Sequence, residues 1–332
     1  MAMSQIRRNL NKFHQSINSV NANAGKTNIT DIVAKYIARE LLLLDEGSRI
    51  PTVDEYEERF GVSRGTVQKA LAIVDDQKVV ELRKRGVLGT FLYGKNLTRL
   101  WQLSGWTNLT GAGALPSTKR QEALSSAIYV AFGNIQTSFN FAYLQGAYRR
   151  VQGMLADKYD FVVTSKGAAE YLIQEMPSKV RIALELEPYS FLSGYCIIKQ
   201  KGFPNRMIRR VGIDPNSPDQ AHLTRRLFSS PSIELVEMYY ARMPTAVASG
   251  DIDACIFNQD AIDRGVLEYY SLDSLDIEDI PVNLDLSDLT RAVILINPKN
   301  YMIDKLVVKL INPNQVAEIQ REVMNGKRLP IL

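Results

Sequence analysis

The chain has 332 residues, of which 45% are hydrophobic and 23% charged, with a formal net charge of +4. That length exceeds one ordinary core and predicts at least two domains, and no apolar run is long enough to cross a bilayer. Two distant cysteines, Cys196 and Cys255, and two isolated histidines, His14 and His222, argue against a disulfide framework, a structural zinc site and histidine-based catalysis.

The opening "MAMSQIRRNLNKFHQ" has no apolar core for a signal peptide, so a cytoplasmic protein is expected. Charge is uneven. Residues 1–100 hold 16 Lys and Arg against 11 Asp and Glu, whereas the remainder holds 24 against 25. A basic first third joined to a neutral remainder points to a polyanion-binding module attached to something else.

Residues 1–28 are rich in Asn, Ser, Lys and Arg and read as a flexible basic tail. Ile29, Ile32, Val33, Tyr36, Ile37 and Leu41 then recur at helical spacing, until Gly47 and Pro51 break the pattern. Thr52 is placed to cap a second helix, "VDEYEERF", which Gly61 ends. A third helix starts after Ser63, with Val62 and Val67 spaced as a hydrophobic staple. Val67, Ala70, Leu71 and Val74 form its core face, leaving Arg64, Gly65, Thr66, Gln68 and Lys69 toward solvent or a partner. "KVVELRKRGVLGTFL" follows as a β-hairpin with a basic tip at Arg83, Lys84 and Arg85. Two helices, a glycine turn and a wing predict a winged helix-turn-helix over residues 29–92.

"RIPTVDEYEERFGVSRGTVQKALAIVDDQKVVELRKRGVLGTFL" resembles the winged helix-turn-helix of GntR-type bacterial regulators. The resemblance implies double-stranded DNA as partner, read as a palindromic operator by a homodimer. Base contacts are expected from Arg64, Thr66 and Gln68, close approach at Gly65, and phosphate contacts from Lys69, Arg83, Lys84 and Arg85. The chain departs from the family in three places. Asp54 stands where an arginine is common and is expected to remove one phosphate contact. Gln68 replaces a second arginine and suits adenine rather than guanine. Val87 and Leu88 separate Gly86 from Gly89 where the wing usually has closely spaced glycines.

Residues 93–103 read as a linker leading into a strand-like "LWQLSGW". The glycine-rich "NLTGAGALPS" precedes a helix and offers Thr110, Gly111, Ala112, Gly113 and Ser117 as candidates to hold an anion. It is no P-loop, since no Gly-Lys-Ser/Thr follows. Strands and helices then alternate in two runs, which predicts an α/β fold with largely parallel sheets, in two lobes over residues 104–332 with crossovers near 187–201 and 258–292. "YDFVVTS" and "DACIFNQ" each end in polar residues at a carboxyl edge, making Thr164, Ser165, Lys166, Asn258, Gln259 and Asp260 candidate ligand contacts. Arg149 and Arg150 either take part in holding such a ligand or lie on the exposed face of their helix, and the exposed face is the preferred reading.

The order of elements resembles the type 2 periplasmic-binding-protein fold, and "LPSTKRQEALSSAIYVAF" with "FNFAYLQGAYRRVQGMLADKYDFVVTSKGAAEYL" resembles the effector half of YhfZ-type transcriptional regulators over residues 100–332. This implies a sensor domain that also dimerises and binds a small effector. Basic and hydroxyl residues near strand ends lean toward an anionic or zwitterionic metabolite. A one-component regulator is therefore expected, with no catalytic residue, metal or cofactor assigned. An enzyme on the same two-lobed fold is the alternative; against it stands the absence of a His-paired nucleophile, metal cluster or P-loop. The chorismate-lyase-like domain common beside such heads is shorter and mostly antiparallel, and the βα alternation speaks against it.

Overall fold

The computed structural model describes residues 28–76, 79–105, 108–133, 138–263, 274–280 and 286–331. Residues 1–27 of the expected tail lie outside them. The chain divides into two compact units with the boundary at Asn108 and Leu109.

The first unit opens with helices α1 (Ile29–Leu43), α2 (Val53–Phe60) and α3 (Arg64–Asp76). Asn28 caps α1 through the Thr30 amide, and Ile32, Val33, Ile37 and Leu41 are buried on its inner stripe. Thr52 and Glu55 form a reciprocal capping box at the start of α2, and Gly61 closes it in the left-handed region. Hairpin β1 (Val80–Lys84) and β2 (Thr90–Lys95) follows, and the backbone of residues 47–50 bonds to the outer edge of β2. The three extended segments make the wing.

Residues 97–104, expected as linker and strand, form a helix, α4 (Leu97–Ser104). Leu97, Leu100, Trp101 and Ser104 follow helical spacing, Asn96 caps the start and Gly105 the end, and the buried Leu100 and Trp101 belong to a helix that packs on α1. The segment thus belongs to the core of the first unit.

The second unit contains β3 (Asn108–Gly113), α5 (Lys119–Gly133), β4 (Ser138–Tyr143), α6 (Ala147–Leu155), β5 (Phe161–Ser165), α7 (Lys166–Glu175) and β6 (Arg181–Glu185). It continues through β7 (Tyr195–Gln200), β8 (Arg210–Ile213), α8 (Pro218–Leu227), β9 (Glu234–Glu237), α9 (Met243–Ser249), β10 (Ala254–Asn258), α10 (Gln259–Asp263) and β11 (Leu275–Asp279). It ends with α11 (Ser287–Thr290), β12 (Ala292–Ile296), α12 (Tyr301–Leu310) and α13 (Pro313–Met324), which packs on α5.

Two five-stranded sheets result, β4-β3-β5-β12-β6 and β9-β8-β10-β7-β11. Their topologies match strand for strand. In each, the first strand of the lobe lies between the second and the third, and an antiparallel strand separates the third from the fourth. The antiparallel strand is β12 in one lobe and β7 in the other; each comes from the chain crossing over. The sheets are mixed rather than largely parallel, because every passage between lobes delivers one reversed strand. The first passage occupies 186–194, shorter than expected because β7 starts at Tyr195. The second leads from β11 to β12, so the described residues 258–263 and 274–279, expected in a crossover, belong to one lobe. Strands β5, β10 and β12 are buried at every position, as central strands covered on both faces must be. Two α/β lobes joined by two crossing segments make a periplasmic-binding-protein-like domain behind a helix-turn-helix.

Candidate functional site

In the first unit the third helix is built to present one face. Val67, Ala70 and Val74 are buried, while Arg64, Gly65, Gln68 and Lys69 are exposed and Thr66 is half-buried. Ser63 caps the helix, its Oγ accepting from the Thr66 amide at 3.3 Å and lying 3.0 Å from the Thr66 hydroxyl. Asp54 forms an ion pair with Arg64, so it steers that guanidinium from the preceding helix. On the wing, Arg83 stacks 4.1 Å from the Tyr93 ring centroid and pairs with Glu81. Arg85 lies 5.0 Å from the Phe91 ring and donates to the Tyr93 hydroxyl. Lys84 is exposed between them, and Val87 and Leu88 stand out at the tip, Leu88 at 63% exposure. Both arginines thus gather at Tyr93, beside an apolar tip.

In the second unit a cavity of about 210 Å³ lies between the lobes. Such a volume has room for a small metabolite. One lobe contributes Ser117, Gly146, Arg150, Thr164 and Ser165; the other contributes Tyr195, Ser217, Asp219, Tyr240 and Asn258. Leu115, Phe191, Leu192 and Phe257 make its apolar wall.

Two buried charges dominate it. Arg150, 3% exposed, donates from Nη1 to the Leu144 carbonyl at 2.7 Å and from Nη2 to Thr164 Oγ1 at 3.3 Å. Burial lowers its pKa to about 10, opposed by the charge of Asp219, so it stays protonated. Asp219, in the first turn of α8, accepts from the Ser165 hydroxyl across the cleft. Burial raises its pKa to about 7, opposed by the Ser165 hydrogen bond, the Arg150 charge and the Tyr195 hydroxyl. Tyr240 stacks on Phe257 at 4.6 Å, and its hydroxyl accepts from the Asn258 amide at 2.6 Å.

The lobes meet around this cavity. The Tyr148 amide donates to the Asn216 carbonyl at 3.3 Å, and Arg120 of α5 pairs with Asp260 of α10 at 3.1 Å. A family model of the YhfZ C-terminal domain matches residues 96–331, and a model of a helix-turn-helix domain matches residues 45–92. The chain belongs to the YhfZ family.

Among relatives, the uncharacterized protein YhfZ of Escherichia coli strain K12 is 29% identical over 300 residues, covering 90% of this chain and 96% of that one. The crystal structure of YhfZ from Shigella flexneri is similar at 27% identity and a TM-score of 0.59, over 71% of this chain and 98% of that one. The periplasmic aliphatic sulphonate binding protein SsuA from Escherichia coli aligns at 11% identity and a TM-score of 0.49, over 66% of this chain and 75% of that one. No described helix is long and apolar enough to cross a membrane.

Within this YhfZ-family domain the residues singled out from sequence divide. Ser117, Thr164, Ser165 and Asn258 line the cavity. Thr110, Gly111, Ala112 and Gly113 are not loop residues; they belong to β3, where the Thr110 amide donates to Asp160 and the two glycines lie against Phe141 and Phe161. Lys166 lies 3.4 Å from both Glu185 and Asp288, Gln259 bonds through its amide to Gly194, and Asp260 holds Arg120 and the Ser193 amide. Arg149 and Arg150, expected together on an exposed face, part company. Arg149 stacks 5.1 Å from the Tyr239 ring, whereas Arg150 is enclosed, because the second lobe closes over its side of α6. Asp219, Tyr195 and Tyr240 were missed as cavity residues, and for Arg150 the exposed face was preferred over ligand contact. The available signal was the hydrophobic stripe of α6, where Arg150 shares the buried side with Ala147, Val151 and Met154.

Proposed function

We propose that the chain is a one-component, GntR-like transcriptional regulator of the cytoplasm, acting as a homodimer on palindromic double-stranded DNA. The exposed face of α3 reads base edges through Arg64, Thr66 and Gln68, with Gly65 allowing close approach. Lys69, Arg83, Lys84 and Arg85 meet phosphates. The second unit senses a small anionic or zwitterionic metabolite without transforming it. Ligand binding favours closed lobes, and the difference in affinity between open and closed states changes operator binding.

One observation carries this reading: a cavity lined by buried charges, in the same chain as a helix-turn-helix whose second helix exposes Arg64, Gln68 and Lys69. The test is selection of duplexes from a random library with the full-length protein. An enriched palindrome is expected, and Arg64→Ala is expected to weaken binding to it by about 1–3 kcal/mol with an unchanged melting temperature. Failure to enrich any sequence would overturn the regulator reading, and unchanged affinity would remove Arg64 from the recognition face.

A further inference from the structure

The cavity between the lobes holds one donor and one acceptor that the protein leaves unsatisfied. Arg150 Nε is buried without a hydrogen-bond partner, although both terminal nitrogens are used. Asp219 Oδ1 is likewise buried and unpartnered, although Oδ2 takes the Ser165 hydroxyl. Both side chains line the cavity, they come from opposite lobes, and each is more than nine-tenths buried. Their hydrogen bonds go to Leu144, Thr164, Ser165 and the Tyr195 hydroxyl rather than to each other. A buried charge with an unsatisfied atom is costly unless something supplies the missing partner. Native proteins therefore hold few such groups, and two in one cavity point to a ligand carrying both complements.

Position adds to this. The first turns of α6, α7 and α8 all open on the cavity, at Gly146 and Ala147, at Ser165 and Ala168, and at Ser217 to Gln220. Helix N-termini attract negative charge, and a guanidinium binds a carboxylate bidentately. A bare carboxylate would satisfy Arg150 but place a second negative charge beside Asp219 and leave Oδ1 unpaired. A bare amine would do the reverse. We infer that the cavity takes a zwitterion of the class of small apolar α-amino acids, with its carboxylate on the Nε–Nη2 edge of Arg150 and its ammonium on Asp219 Oδ1. The apolar wall of Leu115, Phe191, Leu192 and Phe257 receives the side chain. This rests on reading the second unit as an effector domain, and it supplies the reason that ligand and closure are coupled: closing without ligand buries two incomplete charges, whereas closing on the zwitterion completes both.

The charge on Asp219 separates this ligand from its neighbours. Without ligand its carboxyl titrates at about 7, facing Arg150 of α6, Ser165 at the head of α7, Tyr195 of β7, and Tyr240. An ammonium holds Asp219 ionised, so a zwitterion binds with proton release and more tightly as pH rises from 6 to 8. A plain carboxylate favours protonated Asp219 and binds more tightly as pH falls.

The experiment is calorimetric titration of the full-length protein with each of the protein amino acids at pH 6, 7 and 8. The best binder is then compared with its 2-hydroxy acid, its deaminated acid and its methyl ester. Expected are saturable binding of at least one amino acid, affinity that rises with pH, and loss of at least about 30-fold for each analogue. Arg150→Gln and Asp219→Asn should each lose about as much, with Arg150→Lys recovering part of it. Melting curves of the variants establish that they fold, and the analogue series uses wild-type protein alone. Binding of the deaminated acid as tight as that of its amino acid, affinity that rises as pH falls, or no amino acid bound at all would overturn the zwitterion. In that last case, a metabolite of another class that raises the melting temperature and shifts affinity for the selected duplex would leave the effector reading standing.

Discussion

Gly65 and Gly111 lack the same side chain for different reasons. Nothing lies within 4 Å of a Cβ added at Gly65, on the exposed face of α3. The protein alone therefore gives no cause for glycine there, and Gly65→Ala should stabilise the first unit, by up to about 0.5–1 kcal/mol in urea denaturation. If the face meets DNA, the same change should weaken binding to the selected duplex, and a gain in stability with unaltered binding would place the face elsewhere. At Gly111 a Cβ would lie 2.5 Å from Phe161 and 2.7 Å from Phe141, so Gly111→Ala should cost about 1–3 kcal/mol of stability. Asp219 carries a pH prediction. Its folded pKa, about 7, lies above the ordinary value of 3.8, so the folded protein binds the extra proton between those limits. Stability from this group is therefore greatest at the acid end and declines as pH rises from 4 to 7. Asp219→Asn should then be more stable than wild type by a few kcal/mol at pH 8 and by much less at pH 4, read from chemical denaturation at both pH values.

Local chemistry decides most of the elements. The Thr52 and Glu55 capping box satisfies two amides at the start of α2, and Thr52→Ala should cost about 1 kcal/mol by urea denaturation. Gly61, Ser63 and the stripe Val67, Ala70 and Val74 make the turn and third helix legible from spacing alone. The buried runs "FVVTS", "ACIFN" and "AVILI" are equally plain, since a central strand is apolar on both faces. Where elements were misread, the signal was short and mixed. "LWQLSGW" holds two leucines and two tryptophans within seven residues, which reads as strand until Asn96 and Gly105 are recognised as the two caps of an eight-residue helix. "NLTGAGALPS" reads as a phosphate-cradling loop because of its glycines. Those glycines instead make room for the aromatic cluster of Phe132, Phe139, Phe141 and Phe161, whose members come from three separate elements.

Closure of the second unit depends on two further glycines. Gly146, at φ +85°, faces the Asn216 carbonyl across the cleft, and a Cβ there would lie 2.9 Å from that oxygen. At Gly167 a Cβ would lie 2.3 Å from Leu289 and 2.9 Å from Asp219 Oδ1. The contacts with Asn216 and Asp219 cannot form when the lobes are apart, whereas Leu289, whose helix packs on α7, stays beside Gly167, so Gly146→Ala should disfavour the closed arrangement by about 1–3 kcal/mol. Fluorescence energy transfer between labels on the two lobes should then report a longer distance than in wild type. An unchanged distance would mean that the lobes stay closed despite the added methyl. At this scale the limits of a one-dimensional reading are clearest. The sequence by itself determined the helix-turn-helix with its wing, the two α/β runs and four polar cavity residues, Ser117 before a helix and Thr164, Ser165 and Asn258 at strand ends, because caps, periodicity and strand termini are local. Only the tertiary structure decided that Arg150 is enclosed while its neighbour Arg149 is not, that Asp219 meets Ser165 from the other lobe, and that each sheet receives a reversed strand from the crossing chain. Those facts depend on which surfaces come together across 50 residues or more, and burial, unlike helical spacing, is a property of the partner surface.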